Sequence, residues 1–207
     1  NVEFGSTFQE DGTASHAVMV TFQRAELDDD QAAILDVRLA EIGEQAVQDG
    51  LVVEEIDTAD EVGLRLSIPA ADPEDAGASL NALINALTLD YTGGPVAPFQ
   101  GTFEVESGAV GGSAFQLEMT VDGEVLTSVA AALMPEGEEL PEGNALDNAL
   151  QMTYVAVMPG TIRETNGTTV DESTVRWVLP FDRRITLRAE SKLGEEGSTT
   201  WFVVAAI

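Results

Sequence analysis

The chain contains no cysteine. That excludes disulfides, thiolate catalysis and cysteine-built zinc sites. It has one histidine, His16, and one lysine, Lys192. A single histidine cannot build a histidine metal cluster. It also leaves a Ser-His-Asp triad one candidate base, and no Gly-x-Ser-x-Gly elbow accompanies it. His16 falls in an expected strand and reads there as a satisfied or exposed side chain. The glycine-rich stretch from Gly108 to Ser113 lacks the lysine and spacing of a phosphate loop, and no dinucleotide fingerprint is present. With 2 Trp and 2 Tyr, there is little aromatic platform for sugars. No cofactor is implied. No leader peptide and no apolar run of about 18 residues is visible.

Basic residues are also scarce. Nine Lys+Arg face 37 Asp+Glu, a net charge of -28. Such a chain is repelled by nucleic-acid phosphate and by anionic lipid, so nucleic-acid binding is discounted and contact with a membrane is expected by a tether only. The acidity fits adaptation to salt, a cation- or base-binding role, or the general solubility of an exposed domain. Carboxylates are too common for any pair to signal glycosidase chemistry. Asp28-Asp29-Asp30 and Asp57 with Asp60-Glu61 offer calcium-type oxygens but match no EF-hand loop. A helix cap and a turn explain them, and no metal site is expected.

With 207 residues, 44% of them hydrophobic, the chain can bury a core as a single domain. Residues 1–94 and 95–207 are candidate sub-lobes. The chain begins at Asn1 without a methionine and ends in the apolar stretch Trp201–Ile207. That stretch reads as a last buried strand or as the start of a membrane segment. The charge is uneven. Residues 1–98 hold 20 acids and 3 arginines, residues 99–148 hold 10 acids and no base, and residues 149–207 hold 7 acids and 6 bases.

Val2 to Phe8 and Ala14 to Gln23 alternate with period two around Asp11-Gly12, a hairpin signal. Asp28 to Asp30 open a helix whose stripe is Ile34, Leu35, Leu39, Ile42 and Ala46, and Gly50 closes it. Leu51 to Asp57 and Val62 to Ile68 form a second expected hairpin. Asp72-Pro73 starts a second helix with the stripe Leu80, Leu83, Ile84 and Leu87. From Ala76 to Leu89 this helix carries no charge, so it is either buried between layers or lines an apolar cavity. After Pro95 and Pro98, strands are expected at Phe99 to Glu106, Ala114 to Val121, Gln151 to Met158, Thr161 to Thr165, Thr174 to Leu179 and Ile185 to Ser191. Leu126 to Met134 reads as strand or short helix, Pro135 to Asn144 as an acidic loop, and Asn166-Gly167 as a hairpin turn. The expected fold class is α+β: an antiparallel, hairpin-rich curved sheet with two main helices packed on it.

In the last strand, alternation puts Arg184, Thr186 and Arg188 on one face and Ile185, Leu187 and Ala189 on the other. Arg176, one strand earlier, is expected to join the arginine face. Arginine forks suit carboxylate or phosphate. The face reads either as a site for an anionic head group or as arginines paired with the protein's own acids.

Val155-Ala156-Val157-Met158-Pro159-Gly160-Thr161-Ile162, Thr165-Asn166-Gly167, Val175-Arg176-Trp177 and Leu187-Arg188-Ala189-Glu190-Ser191 resemble the LppM-type envelope lipoprotein domain. The resemblance spans roughly residues 150–191. It implies an exported, membrane-tethered domain of the cell envelope, lipid or glycolipid binding, and no catalytic residues. Independently of it, Trp177 reads as a core anchor whose indole N–H finds a partner.

Two functions follow. One is a non-catalytic extracytoplasmic domain binding an apolar or lipid-like ligand through Leu80, Leu83, Ile84, Leu87, Arg176, Arg184 and Arg188. The other is a structural or interaction domain of the envelope with a filled core. An enzyme working with carboxylates alone ranks last.

Overall fold

The computed structural model describes residues 1–92, 94–107, 113–133 and 150–193. The glycine-rich stretch 108–112, the acidic loop 135–144 and the terminal stretch 201–207 lie outside the described residues.

β1 (Val2–Phe8) and β2 (Ala14–Gln23) pair antiparallel. Gly12 sits in the turn at φ +83°, a conformation costly for any residue with a Cβ. Phe4, Phe8, Val18 and Val20 face inward, as alternation requires. A short 3₁₀ turn leads to α1 (Asp29–Gln48). Asp28 caps it by accepting from the Gln31 amide at 2.8 Å, and the Gln31 side chain accepts from the Asp28 amide at 3.0 Å. This reciprocal capping box satisfies two otherwise orphaned donors. Gly50, at φ +81°, ends the helix. β3 (Val52–Asp57) and β4 (Glu61–Ala71) then pair antiparallel.

The second helix opens as a 3₁₀ turn, Pro73–Asp75, and continues as α2 (Ala76–Thr92). Two asparagines one turn apart on α2 each hold a strand-like backbone. Asn81 bonds both the N–H and C=O of Phe99, at 3.0 and 2.8 Å, and Asn85 does the same to Val96, at 2.7 and 3.0 Å. They satisfy backbone groups that would otherwise be buried unpaired. β5 (Phe99–Ser107) and β6 (Ser113–Asp122) follow. Residues read as strand or short helix form α3 (Gly123–Leu133), which starts three residues early because Asp122 accepts from its first-turn amides.

The remaining strands are β7 (Met152–Val157), β8 (Thr161–Thr165), β9 (Thr168–Thr169), β10 (Thr174–Val178) and β11 (Arg184–Lys192). Among the described residues they complete two sheets rather than the single curved one expected, with three α-helices rather than two. Sheet 1 has the order β3-β4-β2-β1-β7-β10-β9, and sheet 2 the order β5-β6-β11-β8. Pairing is antiparallel except between β1 and β7, which run parallel with Val2 opposite Met152. Alternation shows which residues share a face but not which distant strands pair, and each apolar sheet face needs a covering layer. Sheet 1 takes strands from both sides of residue 94.

The two apolar faces meet through aromatic rings. Phe4 meets Phe99 edge-on at 5.0 Å, Phe8 stacks on Phe103 at 3.9 Å, and Tyr154 lies 6.1 Å from Phe99. α2 touches β2 and β4 of sheet 1 and β5 of sheet 2. It therefore lies between the layers.

Asn166-Gly167 is not a hairpin turn. β8 pairs with β11 in sheet 2, whereas β9 pairs with β10 in sheet 1, so the chain changes sheets at this dipeptide. Asn166 holds the crossing. Its Nδ2 donates to Thr186 O at 2.7 Å, and its Oδ1 accepts from the Arg188 amide and the Trp177 indole, both at 2.9 Å. Gly167 leaves room for the Trp177 ring, since a Cβ there would lie 2.6 Å from it. Asn166→Ala should lower stability by about 2 kcal/mol in urea denaturation, because it strands the indole N–H and an edge amide. A loss under about 0.5 kcal/mol would show that Asn166 does not bind the sheets together.

Candidate functional site

The charge-free face of α2 is the first place to look for a ligand. Leu80, Leu83 and Ile84 have 0% exposure and Leu87 has 3%. All four belong to one continuous core. The helix is buried between layers, the first of its two sequence readings. Among the described residues, its stripe packs into that core.

The arginines are the second place. Arg184 stands opposite Asp122 and Arg188 opposite Glu118 across β11 and β6. Arg184 bonds Asp122 at 2.5 Å, and Arg188 reaches Glu118 at 3.3 Å. Arg184 holds the Asp122 carboxyl below its ordinary range, and the α3 amides add to the effect. Arg176 does not join them. It lies on β10 in sheet 1 and pairs with Glu3 at 3.4 Å. The expectation of a three-arginine face fails because β10 and β11 are consecutive in sequence but belong to different sheets. The groove around Arg188, about 360 Å³, is also lined by Glu118, Glu164 and Glu190. An anionic head group there would meet more carboxylates than arginines. These exposed pairs brace the strands and stabilise little on their own.

The third place was not expected from the sequence. Ser6 on β1 and His16 on β2 stand opposite each other, 2% and 1% exposed. Ser6 Oγ lies 2.8 Å from His16 Nδ1. Tyr154 is fully buried nearby on β7. His16 Nε2 and the Tyr154 hydroxyl have no hydrogen-bond partner among the described residues. Burial pushes His16 down to about 4. Burial also pushes the Tyr154 phenol up, and the nearby Ser6 side chain offsets part of that rise. The sequence signal was Ser6 itself, the polar residue on a face otherwise made of Val2, Phe4 and Phe8.

Two more grooves are open and mixed in polarity. One of about 270 Å³ lies between α1 and β3–β4, beside Arg24, Asp36, Leu39 and Asp57. The other, about 840 Å³, runs along β5. The Asp28 carboxylate serves as the α1 cap. Among the described residues no group of three or more metal-ligating side chains comes together.

No protein-family model and no curated protein matches the chain. A solved structure does: the chain is similar to the folded domain of Mycobacterium tuberculosis LppM, determined by NMR. The two share 15% identity with a TM-score of 0.44, over 94% of this chain and 90% of that one. It is the same protein group that residues 150–191 resemble.

Proposed function

We propose that this protein is a non-catalytic, extracytoplasmic domain of the cell envelope that acts through its outer surface, with a filled core in place of a ligand cavity. The observation that carries this reading is the complete burial of Leu80, Leu83 and Ile84 between the two sheets. The envelope location is supported by the resemblance over residues 150–191. In this reading the domain reaches a membrane by a tether. Among the described residues no helix is long and apolar enough to cross one.

The non-catalytic part is supported by the Ser6–His16 contact. Its spacing suits a nucleophile and its base. However, both side chains are buried, the base is weakened by desolvation, and among the described residues no partner bonds the far ring nitrogen. Buried in this way, the pair serves as a polar tie between β1 and β2.

Native mass spectrometry tests the filled core. Protein incubated with phospholipid or fatty acid and then desalted should show the mass of the chain alone. A stoichiometric adduct that survives and is lost in Leu83→Trp would restore the alternative, an apolar ligand held between α2 and the sheets.

A further inference from the structure

We infer that the free edge of β5 is a docking edge for an extended peptide segment bearing lysine or arginine, which adds to sheet 2 as another strand. The inference rests on the surface-acting role proposed above and names the partner chemistry. Among the described residues, β5 ends the order β5-β6-β11-β8 and pairs only with β6. Residues of an antiparallel strand turn their N–H and C=O alternately toward and away from the partner. Phe99 turns both groups away from β6, since Asn81 holds them. Gly101 faces the same way, its amide tight against Gly77 of α2. The register with β6 is unbroken from Phe99 to Ser107. The next outward-facing residues are therefore Phe103 and Val105. Among the described residues, neither makes a backbone hydrogen bond on that side.

The edge is covered as far as Gly101 and open beyond it. There the 840 Å³ groove runs between residues 102–105 and a wall formed by Ala71, Asp72, Pro73 and Glu74. Val105 is 42% exposed at its rim. A strand laid in this groove would pair its backbone with Phe103 and Val105. Its side chains would point alternately toward apolar Val105 and toward the face carrying Thr102, Glu104 and Glu106. Asp72 and Glu74 face it from the far wall. The partner this fits is a segment of alternating apolar and basic residues. A second copy of this chain fits poorly. Pairing β5 with β5 would bring Glu104 and Glu106 of each copy together, in a chain of net charge -28, and facing like charges destabilise a sheet.

The test uses a short fluorescent peptide of alternating lysine and valine, with a matched peptide N-methylated at alternate amides. Binding is read by anisotropy, and amide hydrogen exchange by NMR. The expected result is binding of the unmodified peptide, with exchange at Phe103 and Val105 slowed about tenfold or more while Phe99 is unchanged. N-methylation, which keeps the charge, should weaken binding about tenfold. Val105→Pro should weaken it similarly, since that N–H is not part of the β5–β6 ladder. Equal binding of the N-methylated peptide, binding without protection of the two amides, or no binding would each overturn the inference. So would a dimer that protects Phe103 and Val105 without peptide. None of these outcomes changes the lipid-retention result, so failure here leaves the filled-core reading intact.

Discussion

Leu83→Ala is expected to destabilise the protein by about 4 kcal/mol. Leu83 has 0% exposure and sits on a helix pressed between two sheets, so neighbouring side chains cannot collapse into the space it leaves. The loss then includes both the transfer free energy of the removed carbons and the cavity behind them. Ile34→Ala on α1 is the control. Ile34 is 61% exposed, and its truncation should shift stability by under about 0.5 kcal/mol. Urea denaturation monitored by tryptophan fluorescence would measure both. If α2 instead bordered a ligand cavity, Leu83→Ala would enlarge an existing space at much smaller cost. A Leu83→Ala loss below about 1.5 kcal/mol would therefore remove the main support for a filled core.

Acid should weaken the fold through His16 by about 3 kcal/mol. In the unfolded chain the imidazole titrates near 6.5, and in the folded protein burial holds it at about 4. Above pH 6.5 both states keep it neutral, and it adds no pH dependence. Between pH 6.5 and about 4 the unfolded chain takes up a proton that the folded state refuses. Stability then falls with falling pH by about 1.4 kcal/mol per unit. Below about pH 4 this group causes no further change. Neutralisation of the many carboxylates acts over the same range and relieves self-repulsion. The readable quantity is thus the difference between wild type and His16→Leu across pH. Going from pH 7 to 4, wild type should lose about 3 kcal/mol relative to His16→Leu. Parallel curves from pH 7 to 4 would show that His16 is not held neutral.

Local signals carried most of the fold. Asp11-Gly12, the Asp28-Asp29-Asp30 run, Gly50 and Pro73 each fix a turn or helix end by their own chemistry, and the structure uses each of them there. Trp177 was expected to find a partner for its indole and does so in Asn166. What was not legible lies in pairings between distant segments. Nothing in Val2 to Phe8 specifies Met152 to Val157 as its parallel neighbour. Arg176 and Arg184 lie in successive strands, and only their membership of different sheets separates them. Asn81 and Asn85 read as ordinary polar positions on a helix, because their role exists only once Val96 and Phe99 are folded beside them. The candidate site was less legible than the fold. Alternation grouped Arg184 with Arg188 correctly, but the acids opposite them belong to β6, whose register no local residue reveals.

The parallel pairing of β1 with β7 also sets the order in which the molecule can be built. The first strand of the chain completes its sheet only against residues 152–157. Since synthesis runs from N- to C-terminus, β1 and its apolar row Val2, Phe4 and Phe8 wait for residues 152–157 to follow. Contacts so far apart in sequence are slow to close and leave a strand edge open to other chains in the interval. A dense negative charge on segments made before β7, 20 acids against 3 arginines in residues 1–98, opposes association of unfinished copies during that wait.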